Sequence, residues 1–321
     1  MGFYLLPMKA ASFPSDKEII KHCKPIVSLA IHTINIQIKD VIGLETVPTP
    51  YKDANNITRQ VDKTVHTIYH TNLRKYFEYN IIIAGEETEK KRRRKTWSKK
   101  DKEEKIVASI DAVDGTDLVS KGLYNWCTAV FFFKPDSHII ASLVGVPSGA
   151  IYYASDEGAF MESIIEGEKK RRKLNVPYKK MAKNINDASI CFYGQKAPNF
   201  LSIAKNHSFL KLLTGFQKEI DAGKDVPFRI YNFGGNPMMI KLIEGGVDAV
   251  IELRGQSLYD VVPGAFIAQR AGAFWGDLKG NEITKEYLRE KFLSSTEPGE
   301  LSYILTSSRQ MYNQLLRCFR N

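Results

Sequence analysis

Acidic residues fall in three short clusters whose spacing could do chemistry together. Gly85-Glu86-Glu87 follows an apolar run, Asp111-Ala112-Val113-Asp114-Gly115-Thr116 follows another, and Tyr259-Asp260 opens an apolar helical pattern far downstream. Carboxylates gathered at strand ends and helix starts are what a site for hard divalent cations needs. Mg²⁺ prefers oxygen ligands, keeps several of its waters, and is usually held by a few carboxylates plus a substrate phosphate. The expectation from these residues is metal-dependent hydrolysis of a phosphate ester.

The middle cluster carries most of that expectation. Ile106-Val107-Ala108-Ser109-Ile110 is a β-rich run, which puts Asp111 at or just past the end of a buried strand. Asp114-Gly115 is a strong turn dipeptide. A turn there points two carboxylates and the Val113 carbonyl to one side, while the Gly115 and Thr116 amides can face an anion. One cation could then be chelated by Asp111 with the Val113 carbonyl, and a second by Asp111 with Asp114. A plain strand followed by a polar turn accounts for the same residues, so the other clusters must decide. Asp260 is similarly two-sided: Asp is a favoured N-cap, and Val261-Val262-Pro263 suits a first helical turn.

Taken in order, the three clusters resemble those of the inositol monophosphatase superfamily, which includes inositol monophosphatases, fructose-1,6-bisphosphatases and bisphosphate nucleotidases. The matching segments are Ala84-Gly85-Glu86-Glu87, Asp111 through Thr116, and Tyr259-Asp260 followed by Val261-Val262-Pro263-Gly264-Ala265 and Ala271-Gly272-Ala273, within a matched region of about 57 to 280. The chain departs from the pattern at Ala112, Val119, Tyr259, Val262-Pro263 and Ala273, and none of these departures removes a carboxylate. The resemblance implies an α/β fold, a layered α-β-α-β-α sandwich, and two or three Mg²⁺ ions. It implies Glu86, Asp111 and the Val113 carbonyl for one ion, Asp111, Asp114 and Asp260 for another, and Asp62 for a third. Glu87 would lie behind these ligands. Thr116, beside Glu86, would orient the attacking water, the Gly115 and Thr116 amides would take up phosphate charge, and Glu252 would contact a substrate hydroxyl. A two-metal site of this kind lowers the pKa of a bound water and stabilises the leaving alkoxide. Inositol monophosphate leads as substrate, followed by a sugar bisphosphate such as fructose 1,6-bisphosphate or a 3′-phosphorylated nucleotide. The non-enzymatic alternative is an inactive relative that binds an anionic macromolecule through its basic segments.

These residues need elements to hold them. Val61, Val65, Ile68, Tyr69, Leu73 and Tyr76 form a helical stripe, and Ile31, Ile34, Ile38 and Ile42 lie at helical spacing although Ile34, Ile36 and Ile38 also alternate like a strand. Strand-like runs follow at 80–84, 107–110, 126–133, 139–146, 150–154 and 159–164, which predicts a helical pair on a mostly antiparallel sheet. After Asn184 strands near 189–193, 228–231, 247–253 and 303–306 alternate with helices near 200–214, 236–245, 261–272 and 308–319, which predicts a second sheet in an α/β half. The expected division is an N-terminal domain over 1–183 and a C-terminal domain over 184–321 that supplies Asp260 and substrate contacts. Gly234-Gly235-Asn236-Pro237 reads as a helix-opening loop beside the substrate.

Composition agrees. The chain has 321 residues, 43% of them hydrophobic, which is ample for two domains or one large layered unit. Its net charge of +10 is concentrated: residues 90–105 carry ten Lys/Arg against three Asp/Glu, and Lys169-Lys170-Arg171-Arg172-Lys173 adds five more cations. Both segments read as solvated insertions. Residues 90–105 are expected to form a loop that draws in anionic substrate, in preference to a nucleic-acid or membrane-surface contact. No run has the length of a membrane span, Met1 to Pro7 lacks the charged start and long apolar stretch of a signal peptide, and the four cysteines show no close pairing. The expectation is a cytoplasmic protein with reduced thiols, acting on a small phosphorylated metabolite, with a homodimer suggested by the resemblance.

Overall fold

The computed structural model describes residues 13–41, 57–78, 81–85, 105–119, 121–134, 139–294 and 300–319. Glu86, Glu87, Ile42 and all of the basic segment 90–105 except Lys105 lie outside the described residues.

Helix α1 (Asp16–Val41) opens on a capping box: the Ser15 and Glu18 side chains each bond the other's backbone amide, at 3.3 and 2.8 Å. Its buried residues Cys23, Val27, Ile31, Ile34 and Ile38 recur at helical spacing, so the strand-like alternation over 34–38 is overridden. Helix α2 (Ile57–Phe77) buries Val61, Val65, Tyr69, Leu73 and Phe77. Both helices pack on one face of a seven-stranded sheet formed by β1 (Ile81–Gly85), β2 (Ile106–Asp114), β3 (Cys127–Phe133), β4 (Ile139–Gly145), β5 (Ile151–Ser155), β6 (Gly158–Ile165) and β7 (Glu168–Lys173) in that spatial order. Only β1 and β2 run parallel.

Both faces of β2–β5 are covered, which is why these strands read as apolar runs rather than alternating ones. Phe132 and Val130 face α1 and α2, while Phe131 and Phe133 face the opposite core. That opposite core is filled by α6 (Gly235–Glu244) and α7 (Leu258–Arg270), which in turn pack on the second sheet. The second sheet has the order β11 (Phe274–Asp277), β12 (Glu300–Thr306), β10 (Ala249–Ser257), β8 (Ser189–Phe192), β9 (Arg229–Tyr231). Its outer face is covered by α5 (His207–Asp221) and α9 (Arg309–Phe319), through Phe192, Phe209 and Phe319. The layers therefore run α-β-α-β-α, with α7 sandwiched between the sheets.

Several expectations are corrected. The helix expected near 200–214 is two helices, α4 (Ala197–Ala204) and α5, because Asn206 caps a new start by accepting the Phe209 amide at 2.9 Å. Strand β11 and helix α8 (Lys285–Ser294) were not anticipated. Residues 169–173 form no loop: they are the edge strand β7, exposed throughout. Its hairpin turns at Glu166-Gly167, both with positive φ (54° and 81°), as a type I′ turn requires, and this fixes the β6–β7 register. Exposed cations on an edge strand keep other strands from pairing with it.

The β1–β2 pair brings two backbones close together. Gly85, the last residue of β1, is paired with Ile110, and a Cβ at Gly85 would lie 2.5 Å from the Ile110 carbonyl oxygen. Gly85→Ala should therefore force the strands apart beside Asp111 and cost about 1–3 kcal/mol of stability, as overpacking does. Urea unfolding checks this, and a midpoint equal to that of the wild type would show that the pair has slack.

Candidate functional site

Strand β2 does not end at Asp111, as its apolar run suggested, but continues to Asp114. Asp111 pairs with Ala129 and Asp114 with Cys127, so between those pairs β2 carries one residue more than β3. The surplus is a β-bulge at Ala112-Val113. Residues three apart in a regular strand point to opposite faces, and one bulged residue restores them to the same face. Both bulge residues are buried against the α1/α2 side. Gly115 follows with φ +93°, and a Cβ there would come within 2.7 Å of the Asn125 carbonyl oxygen, so the turn requires glycine. Thr116 then begins α3 (Thr116–Val119), a single helical turn whose first amides have no intrahelical acceptor.

Asp260 is not the N-cap of α7. Ser257, with φ −61° and ψ 151°, holds that position, which makes Asp260 the third residue of the first turn. The helix starts earlier than expected because Leu258 and Tyr259 are both buried and extend the apolar face toward the N-terminus. Ser257 three residues ahead of an acidic residue was the available sequence signal. A negative charge in a first turn is favoured by the helix dipole.

Asp114, Asp111 and Asp260 all act electrostatically on one buried thiol. Burial pushes the Cys127 thiol well up, and the charges of Asp114, Asp111 and Asp260, in that order, push it further. Across the site, burial raises the Tyr193 and Tyr303 hydroxyls, and Asp114, Asp260 and Glu252 each add to both. Glu252, on β10, therefore lies near the same two tyrosines as Asp114 and Asp260. It is 2% exposed; its Oε1 accepts the Arg254 and Gly255 amides at 2.7 and 3.2 Å, and its Oε2 is buried without a partner. These amides lie in a bulge of β10 between Glu252 and Gln256. Burial raises the Glu252 carboxyl, and the two amides partly offset this. Asp62 is buried at 3% exposure on α2, which packs on β2 and α3. Glu86 lies outside the described residues.

Asn236, placed by sequence only in a loop beside the substrate, joins the parts. Its amide donates to Asp114 Oδ2 at 2.7 Å from the N-terminus of α6, and Gly235 leads in with φ +75°. Burial raises the Asp114 carboxyl to about 7, opposed by the hydrogen bonds from Asn236. All the candidate donors are oxygens, which fits a hard dication. Among the described residues, which exclude Glu86, no group of three or more His, Cys, Asp or Glu side chains is placed to hold an ion.

A groove of about 1020 Å³ lies elsewhere, between α1 and β5–β7. Lys17, Lys21, Lys24, Lys169 and Arg171 line it, and Glu157 and Glu162 neutralise part of that charge through pairs at 2.7 Å with Lys17 and Lys24. It contains none of the convergent carboxylates.

The sequence matches the Inositol monophosphatase family over residues 16–314. The chain belongs to that family. It is accordingly a phosphomonoesterase. Its fold is similar to that of Mycobacterium tuberculosis SuhB, at 15% identity over 95% of this chain and 97% of that one, with a TM-score of 0.62. It is similar to the Thermotoga maritima IMPase at 17% identity over 94% and 96%, with a TM-score of 0.61. It is also similar to a staphylococcal IMPase-II at 16% identity over 94% and 93%, with a TM-score of 0.63. No match is found among curated proteins. No helix among the described residues is long and apolar enough to cross a membrane.

The raised Asp114 carboxyl makes metal-free stability depend on pH. Below about 3.8 both folded and unfolded chains hold the proton; between there and about 7 only the folded chain does, so ionisation favours unfolding progressively as pH rises. Without divalent cations, the melting temperature of Asp114→Asn minus that of the wild type should climb between pH 4 and 7 and then level off. A difference that stays flat over that range would mean Asp114 is ionised throughout.

Proposed function

We propose that this family member hydrolyses a small phosphorylated metabolite with Mg²⁺, with inositol monophosphate as the leading substrate. The observation that carries the reading is the convergence of Asp111, Asp114 and Asp260 from two elements far apart in sequence around the Cys127 thiol. Residues 1–183 and 184–321 act as two domains, the first contributing β2 and the second α7 and Glu252. Glu86, Asp111 and the Val113 carbonyl would hold one ion, Asp111, Asp114 and Asp260 a second, and Asp62 would support a third. Bound there, the ions would supply a nucleophilic water at neutral pH and neutralise the leaving oxygen.

The chain's own residues do the rest. Thr116, with Glu86, orients the water, and the Gly115 and Thr116 amides bind phosphate oxygens. Glu252 is supported as a reader of substrate hydroxyls by its unpartnered Oε2, which can accept one while Oε1 stays fixed by two amides. A deep carboxylate with one free oxygen distinguishes a polyol from a bare phosphate. Fructose 1,6-bisphosphate and 3′-phosphorylated nucleotides are the alternative substrates. A related structure is described as "2'AMP bound SaIMPase-II", which supports keeping nucleotide monophosphates among the compounds tried. Four free cysteines support a reducing, cytoplasmic setting, and a homodimer is proposed from the family resemblance.

Phosphate release measured over these substrates, with Mg²⁺ and after exhaustive chelation, tests the reading. Activity should require Mg²⁺ and fall only partly with Mn²⁺ in its place; full activity in the chelated protein would overturn it. Asp260→Asn keeps the side-chain shape and gives up only a first-turn charge worth about 0.3–1 kcal/mol. As a ligand it should cost roughly 10²-fold or more in turnover. A folded variant retaining most of its turnover at low Mg²⁺ would remove Asp260 from the ligand set.

A further inference from the structure

Helix α7 contains a proline in its interior, at Pro263. In an unbroken helix the amide of residue 263 would bond to the Tyr259 carbonyl, and proline has no amide to give. The carbonyl that loses this helical donor belongs to Tyr259, the residue immediately before Asp260. The Asn236 carboxamide occupies the gap: Nδ2 donates to the Tyr259 carbonyl at 3.4 Å, and Oδ1 accepts the Gly264 amide at 2.7 Å. The orientation of the carboxamide is fixed by its partners, since a carbonyl can only accept and an amide can only donate. Asn236 is fully buried. Its own backbone amide meanwhile binds Asp114 Oδ2. The two helices approach so closely here that a Cβ on Gly264 would meet Met239 at 2.9 Å and Asn236 Oδ1 at 3.0 Å. On its other side the broken turn is held by Ser142, whose hydroxyl donates to the Pro263 carbonyl at 2.9 Å.

We propose that Asn236 is a positioning residue that replaces the helical hydrogen bond lost at Pro263 and thereby locks the α7 turn bearing Asp260 to Asp114, setting the relative placement of two carboxylates that belong to α7 and to the end of β2. Asn236 and Pro263 then form a compensating pair: the proline opens the helix, and the asparagine uses the opening to register α7 against the end of β2. The inference rests on the reading of Asp114 and Asp260 as cation ligands, but its structural half, the coupling between 236 and 263, does not.

The test is a double-mutant cycle of Asn236→Ala, Pro263→Ala and both together, with two readouts. The first is thermal unfolding of the metal-free protein. Asn236→Ala should lower the melting temperature clearly in the native background and much less in the Pro263→Ala background, where residue 263 again supplies an amide to Tyr259. Equal losses in both backgrounds would overturn the proposal, and the comparison survives even if Asn236→Ala alone fails to fold, because the double variant and Pro263→Ala are then compared directly. The second readout is Mg²⁺ and Mn²⁺ binding by calorimetry, together with the Mg²⁺ dependence of phosphate release. Asn236→Ala, or the double variant set against Pro263→Ala, should show how the lock bears on the site: with the lock removed and not replaced, cation affinity should fall about 10–100-fold, as for other residues that orient ligands from behind, and the double variant should recover most of it. Unchanged affinity in a folded Asn236→Ala, with wild-type protein binding Mg²⁺ normally, would overturn the positioning role. A wild type that binds no divalent cation would instead defeat the function on which this half rests and leave the stability cycle to decide the coupling.

Discussion

Carboxylates taken out of water resist ionisation, and the candidate centre of this phosphatase is built against that resistance. Raising a pKa by one unit is worth about 1.4 kcal/mol between the two protonation states, while a folded domain is held by only about 5–15 kcal/mol. Asp114, shifted upward by burial, takes up part of that stability when it ionises in the metal-free protein. Burial raises its carboxyl to about 7, so in the folded protein it keeps its proton up to about that pH. Everything that supports the three residues is correspondingly rigid. Asp111 and Asp114 sit on a strand flanked on both faces by core, and Asp260 sits on a helix enclosed between two sheets.

The supports are drawn from elements that share no local sequence. A bulge in β2 aligns two carboxylates, Gly115 makes the turn that follows, and the N-terminus of α6 reaches across to hold one of them through the Asn236 amide. Glu252 is held in the same way, by backbone amides in a bulge of its own strand. Backbone groups serve these positions well because, unlike long side chains, they are already fixed by the secondary structure and lose little freedom in making the contact.

Much of this was legible in the order of residues. The strands of the first sheet read clearly because both faces are buried, and Phe131-Phe132-Phe133 could be nothing but interior. The acidic clusters stood out for a related reason, since charge beside an apolar run is costly to bury without a partner. The edge strand β7 was illegible because its composition, five cations in a row, is that of solvated chain; only its turn and its partner make it a strand. The start of α7 was misplaced because Asp260 is itself a good capping residue, and only the burial of Leu258 and Tyr259 moves the helix back to Ser257. Asn236 could be assigned to a loop near the site but not to its partners, because Pro263 and Tyr259 become its neighbours only once α6 and α7 cross.

The bulge at Ala112-Val113 constrains evolution in an asymmetric way. Its effect on Asp111 and Asp114 comes from the presence of one surplus residue, not from which residue it is, since both positions are simply buried against the helical layer. Substitution there is cheap so long as the newcomer is small or apolar, which is how alanine can stand at 112 where proline is usual in the family. Removing a single residue would be another matter: it would turn Asp114 to the opposite side of the sheet, and no side-chain replacement could bring it back. Divergence in this segment is therefore free to proceed by exchange of residues while its length stays frozen.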